Sequence, residues 1–223
     1  MQKEVEKFRK EQIKLAKKVV IRDDFDKIEI VAGVDQSYFK EDGKEKIVSA
    51  VVVCDYKTMK ILEKSFAVAE AKFPYISGYL SYRESPAVIE AFSKLEKRPD
   101  ILMVDAHGIC HPRRIGMASH VGLLLDIPTI GIAKNLMCGE ARDGKVYIDN
   151  ELRGMEIKTK EFANPVYISP GHRISLKTAV EIVKNSIKFP HKYPEPLFLA
   201  HRYADELKKE LVNKAKSSAA QKQ

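Results

Sequence analysis

Ile28–Phe39 reads IEIVAGVDQSYF, an apolar run rich in β-branched residues with one carboxylate, Asp35, set into it. Ile28, Ile30, Val31, Ala32 and Val34 leave little polar alternation, which places the strand deep in a sheet covered on both faces. A carboxylate there needs a partner, because burying even a neutral polar group without one costs roughly 2–7 kcal/mol. That partner is a hydrogen-bonding group, a cation or a metal. A metal at the rim of the sheet makes the rest of the chain coherent.

Outward from this strand the chain reads as alternating elements. Residues 3–20 form an amphipathic helix with Val5, Phe8, Leu15 and Val19 near helical spacing, and Arg22-Asp23-Asp24 breaks it. Asp42-Gly43 is a turn, Lys46–Tyr56 a second strand and Met59–Ala69 a third, an antiparallel meander. Phe73–Pro86, FPYISGYLSYRESP, is too aromatic and too punctuated for a strand. It leads into a helix over about Pro86–Leu95, with Ser85 as a candidate cap and Pro86 suited to the first helical position.

Asp100–Val104 is a strand ending at Asp105, Ala106–Pro112 a loop, Arg113–Leu125 a helix and Thr129–Ala133 a strand. Strand, helix and strand in this order argue for parallel addition to the meander. Residues 139–169 form a small excursion with short strands at Lys145–Ile148, Leu152–Ile157 and Pro165–Ile168. Ser175 caps a helix through about Ile187, and a last helix runs from about Glu195 to Val212. The fold class is α/β. Residues 1–213 are expected as one domain and 214–223 as a flexible tail.

The bulk properties narrow the function. The 223 residues suffice for one sizeable core, and 44% hydrophobic with 31% charged residues describe a soluble globular chain. No apolar run approaches the roughly 18 residues of a membrane span, and the N-terminus MQKEVEKFRK is too charged for a secretory signal. Three cysteines, Cys54, Cys110 and Cys138, without metal-ligand spacing fit a reducing, cytoplasmic setting. The net charge of +8 favours an anionic partner, nucleic acid first, although much of the excess lies in the terminal helices.

Three carboxylates fall at informative places. Asp35 lies inside the first strand, Glu84 just before the first crossover helix and Asp105 at the C-terminal end of the fourth strand. Sites in open sheets form outside the carboxyl ends of strands, and three hard oxygen ligands there suit Mg²⁺ better than Zn²⁺. Glu84 could instead favour a helix N-terminus, and Asp105 could cap a turn. His107, His111, Arg113 and Arg114 crowd one loop around Gly108, and Lys134 follows the fifth strand. Such a cluster suits a phosphate backbone, or is an exposed basic turn.

Several blocks together resemble one family, endonuclease V, the deoxyinosine-directed endonucleases. They are AGVDQSY (Ala32–Tyr38), FPYISGYLSYRESP (Phe73–Pro86), VDAHGICHPRRIGMASHVG (Val104–Gly122), GIAKNLM (Gly131–Met137), VYISPGHRISL (Val166–Leu176) and EPLFLAHRYADEL (Glu195–Leu207). The resemblance implies a ribonuclease-H-like fold: a mixed five-stranded sheet, three strands antiparallel and two parallel, with helices on both faces. It implies that Asp35, Glu84 and Asp105 hold Mg²⁺, with Mn²⁺ as a substitute. Lys134 then stands near the scissile phosphate, and His201 approaches from the last helix. Pro74, Tyr75 and Ile76 match a wedge that fills the gap beside an extruded base, and Gly78 and Leu80 match the wall of the base pocket. His111, Arg113 and Arg114 are expected at the substrate. Two departures stand out: Ser77 replaces the wedge's usual second proline, and Ala106-His107 follows Asp105 where glycine is common at the first position.

The activity so implied is hydrolysis of the second phosphodiester 3′ to deoxyinosine, a deaminated adenine, in DNA repair, leaving 3′-hydroxyl and 5′-phosphate ends. The expected partner is inosine-containing DNA, with RNA as an extension, no membrane, and a monomeric enzyme. An inosine-specific endoribonuclease or another ribonuclease-H-like nuclease of junctions or flaps is the alternative. A non-catalytic binder would have no need of clustered carboxylates facing phosphate.

Overall fold

The antiparallel meander forms around the opening stretch. The computed structural model describes residues 1–220; β1 (Ile30–Glu41) pairs antiparallel with β2 (Lys44–Asp55), and β2 with β3 (Ile61–Glu70). Asp42 and Gly43 turn the chain with φ of 49° and 74°, the doubly positive geometry of a tight hairpin. β4 (Ile101–Val104) lies parallel to β1, and β5 (Thr129–Ala133) parallel to β4.

The sheet does not stop at five strands. The supposed excursion supplies β6 (Glu140–Arg142), β7 (Lys145–Ile148), β8 (Glu151–Ile157) and β9 (Val166–His172), and the order is β3-β2-β1-β4-β5-β9-β8-β7-β6. Ser169-Pro170-Gly171 inside β9 disguises the extension, since proline and glycine read as the end of a strand. Pro170 sits opposite Ile130 where the register shifts, a place at which a missing N–H is tolerated.

Among the described residues five helices flank the sheet: α1 (Gln2–Ala16), α2 (Leu80–Ser93), α3 (Met117–Leu125), α4 (Leu176–Asn185) and α5 (Glu195–Ala220). Ser175 caps α4, its hydroxyl accepting from Thr178 N–H at 3.2 Å. α5 runs past Val212 through residues 214–220, a lysine- and alanine-rich stretch with high helix propensity. Residues 221–223 of the expected tail lie outside the described residues. Among the described residues no helix is long and apolar enough to cross a membrane.

The pleat of β1 divides the two cores. Ala32 and Val34 join Val88, Phe92, Met117 and Val121 beneath α2 and α3, whereas Val31 joins Ile182, Val183 and Leu197 beneath α4 and α5. The odd-numbered residues of β1 form a ladder against α5. A Cβ at Gly33 would lie 2.3 Å from the Pro196 carbonyl carbon, so only glycine admits the helix this close. Asp35 meets His201, Ser37 Oγ donates to Asp205, and Phe39 packs in one cluster with Leu207.

Candidate active site

Register places the first two carboxylates side by side. Val34 and Val104 are the last paired residues of β1 and β4, and Asp105 N–H still donates to Val34 carbonyl at 3.3 Å. Asp35 and Asp105 therefore sit where β4 ends and the edge of β1 opens. Both are buried or nearly so.

Glu84 arrives differently from the sequence expectation. α2 begins at Leu80, not near Pro86, so Glu84 lies one turn inside the helix and Pro86 is internal. Ser85 does not cap; its hydroxyl is buried without a partner among the described residues. The first turn of α2 shows no apolar stripe because its buried side chains are polar. Ser81 Oγ meets His120 Nδ1 at 2.9 Å, and Arg83 donates to Phe73 carbonyl at 2.6 Å and to Glu45 at 2.5 Å. Glu84 Oε1 accepts from the Tyr38 hydroxyl.

Burial, with Asp35 and Asp105 nearby, raises the Glu84 carboxyl to about 8. Burial and Asp35 push Asp105 up to about 6 against the pull of Lys134. Folding therefore favours the protonated forms, and stability contributed by these groups is lost as pH rises through those values. A bound divalent cation would remove the repulsion, and the all-oxygen donor set is the kind that suits Mg²⁺. Among the described residues no three Asp, Glu, His or Cys side chains already close around one point. Each carboxylate is instead engaged separately: Glu84 by Tyr38, Asp105 Oδ2 by Lys134 Nζ at 2.9 Å, and Asp35 Oδ2 by His201 Nδ1 at 2.6 Å. That hydrogen bond raises the His201 pKa above its ordinary value.

A cleft of about 530 Å³ adjoins the carboxylates and shares Asp105 and Lys134 with them. Its wall includes Tyr75, Gly78, Leu80, Ala106 and His111. Tyr75 is 69% exposed at the tip of the 73–79 loop, beside Pro74 and the half-buried Ile76. The loop is clamped at both ends. Arg83 holds Phe73 at its start, while three donors converge on the carbonyl of Gly78: Gln12 Nε2 at 3.0 Å, Arg113 Nη2 at 2.8 Å and His111 Nε2 at 3.1 Å. Gly78 has a φ of +80°, a conformation that suits glycine. Arg113 N–H donates to His111 Nδ1, which fixes a neutral imidazole carrying its proton on Nε2; burial and then Arg113 lower its pKa to about 4.

The basic loop thus serves the pocket rather than offering free cations. Arg113 also donates from Nε to Gln12 Oε1 at 2.6 Å and lies over the Tyr79 ring, and Arg114 Nη1 donates to both oxygens of Glu151 at 2.5 Å. Replacing Arg113 with Ala should accordingly leave the salt dependence of binding nearly unchanged, where loss of a phosphate contact would flatten the slope by about one unit. Titrating affinity against salt for wild type and variant decides between the two.

Gln12 is the residue that sequence reasoning passes over. Its signal is position: it lies on the Phe8–Leu15 face of α1, a polar residue in an apolar stripe, and it is fully buried. Gln12→Ala is expected to raise KM for strands that fill the pocket. The variant should also lose about 1–3 kcal/mol of stability in denaturant melts, because Arg113 is left without its acceptor.

Comparison with known proteins shows the family. A family model described as Endonuclease V matches residues 13–202. Endonuclease V of Dictyoglomus turgidum is 42% identical over 202 residues, covering 86% of each chain. The crystal structure of Bacillus subtilis endonuclease V superimposes with a TM-score of 0.86 at 30% identity, covering 93% of both chains. Ciona intestinalis endonuclease V, solved in complex with a 24mer DNA containing an inosine followed by a ribo-adenosine, gives 0.84 at 29% identity, covering 94% of this chain and 99% of that one. A mixed sheet with helices on both faces, Asp35 inside β1 and Asp105 just past the end of β4, gives this chain the ribonuclease-H-like fold of those endonucleases. Within that class the chain belongs to the endonuclease V family.

Proposed function

We propose that the protein is a Mg²⁺-dependent endonuclease that takes deoxyinosine into the cleft and hydrolyses the second phosphodiester 3′ to it, leaving 3′-hydroxyl and 5′-phosphate ends. The observation that carries this reading is the sharing of Asp105 and Lys134 between the carboxylate cluster and the cleft beside Gly78. A base held in one is thereby separated by a short span of backbone from chemistry at the other. The cleft volume lies in the range of small-ligand sites, and its wall offers backbone groups of the clamped loop. Hypoxanthine presents a carbonyl and a ring N–H where adenine presents an amine and an acceptor, a difference that fixed backbone partners can read. The inosine DNA bound by the Ciona relative supports the same substrate here. Its ribo-adenosine makes a strand with a ribonucleotide after inosine a natural second substrate.

Asp35, Glu84 and Asp105 would hold the metal. When bound, a divalent cation supplies charge that polarises the phosphodiester and eases deprotonation of the attacking water. Lys134, fixed by Asp105, brings its ammonium to a non-bridging phosphate oxygen. His201, oriented through Nδ1 by Asp35, keeps Nε2 as the atom from which a proton can move. Tyr38 orients Glu84 from the opposite face of β1.

Cleavage of a 5′-labelled strand carrying one inosine tests the reading. With Mg²⁺ the product should end one nucleotide beyond the inosine, with EDTA nothing should be cut, and the adenine control should stay intact. Equal cutting of inosine and adenine strands would refute it.

A further inference from the structure

A second groove, of about 690 Å³, lies between residues 157–162, at and after the end of β8, and residues 184–191, from the last turn of α4 onward. Two aromatic rings stand in it almost wholly in solvent: Phe162 and Phe189 are each 92% exposed. Phe162 holds this position at a φ of +60°, where a bulky residue is disfavoured. Three lysines, Lys158, Lys160 and Lys184, line the groove against one carboxylate, Glu161. Flat apolar rings interleaved with ammonium groups are what a single nucleic-acid strand requires, one for its bases and the other for its phosphates.

The groove leads to the carboxylates. Thr159 Oγ1 donates to Lys192 carbonyl at 2.6 Å, tying the two segments together. Lys192 and Lys134 both place their ammonium over the Tyr193 ring, at 5.3 and 5.9 Å from its centroid. Tyr193 in turn lines a small cavity with Asp35, Asp105, Lys134 and His201. The base cleft shares Asp105 and Lys134 but not Tyr193. The order across the molecule is thus base cleft, carboxylates, Tyr193, groove.

We propose that this groove binds the single strand 3′ of the cut, its bases stacking on Phe162 and Phe189 and its phosphates facing Lys158, Lys160 and Lys184. The polarity rests on the proposed function: inosine enters the cleft, the bond broken lies 3′ to it, and the strand beyond that bond runs past Tyr193 into the groove. Charge complementarity and continuity with the carboxylates favour a nucleic-acid strand over a protein partner as the occupant.

The test uses the full chain and inosine strands with a 3′ flank of about 12 or about 3 nucleotides, the longer being within the reach of one stacking platform. Phe162→Ala/Phe189→Ala should raise KM about tenfold on the long flank, leave kcat alone, and change nothing on the short flank or when only the 5′ flank is varied. Both rings are in solvent, so the melting temperature should not move. Lys158→Ala/Lys160→Ala/Lys184→Ala should flatten the salt slope for a plain single strand, read by anisotropy, by about two units. Unchanged KM on the long flank, an equal loss on the short one, or dependence on the 5′ flank would overturn the proposal. A wild type that binds strands through these residues yet cuts no inosine strand would refute both the placement 3′ of a cut and the proposed activity. One that cuts inosine strands while the variants bind and cut normally would refute the groove alone.

Discussion

Asp35→Ala and Asp105→Ala should each lower inosine-strand cleavage by about a thousandfold or more. Metal-held charge at a reacting phosphodiester is worth several kcal/mol, and each 1.4 kcal/mol is a factor of ten in rate. Each substitution also releases a second group, since Asp35 holds His201 and Asp105 holds Lys134. Binding of the inosine strand in Ca²⁺ should survive, because the Gly78 clamp and the side of the cleft formed by Tyr75, Leu80 and His111 are untouched. A variant that retains near-normal turnover would remove that carboxylate from the catalytic centre. Stability should move the opposite way. Glu84 and Asp105 are raised by burial and then by their like-charged neighbours, so Asp105→Asn, which drops one charge and keeps the shape, should lift the metal-free melting temperature by roughly 2–4 °C.

Tyr75→Ala should weaken cleavage of duplex inosine DNA far more than of single-stranded inosine DNA. Opening a duplex costs a few kcal/mol in lost stacking and pairing, which a single strand largely avoids. Tyr75 projects from a loop pinned by Arg83 at one end and by Gln12, His111 and Arg113 at the other, so the ring reaches the helix already ordered. Stacking by such a ring is worth roughly 1–3 kcal/mol, or about 5- to 150-fold in the ratio of variant to wild-type kcat/KM on duplex. Metal dependence should be unaltered. Equal losses on both substrates would assign Tyr75 to the pocket, and no loss on either would end the wedge assignment.

Much of this was legible in the residues. Asp35 stood out because an apolar strand makes a lone carboxylate conspicuous, and Asp105 because it ends a short buried strand. Glu84 is legible as a carboxylate but not as part of a helix, since the turn that carries it buries serine, arginine and glutamate and so shows no apolar period. Pro86, the apparent helix start, is internal for the same reason. The short strands of the far half are legible, but their joining to the main sheet is masked by Pro170 and Gly171, whose meaning depends on a register shift against β5. Arg113 could not be assigned from the chain alone, because its partners are a glutamine 101 residues away and a glycine carbonyl 35 away. Charge is visible in a sequence; what neutralises it is a tertiary fact.

The ladder between β1 and α5 has a consequence for how the enzyme is made. His201 and Asp35 touch across 166 residues of chain, and Gly33 and Ser37 meet the same helix. A chain emerging from the ribosome folds from its N-terminus, so the meander with Asp35 exists before the imidazole that meets it. A nascent or clipped copy lacking α5 would leave Val31 and Phe39 uncovered and Asp35 without His201. Such a fragment should be recognised by proteases and chaperones as unfinished, and should cut nucleic acid poorly. Under the proposed mechanism, full activity is expected only once α5 has docked against β1.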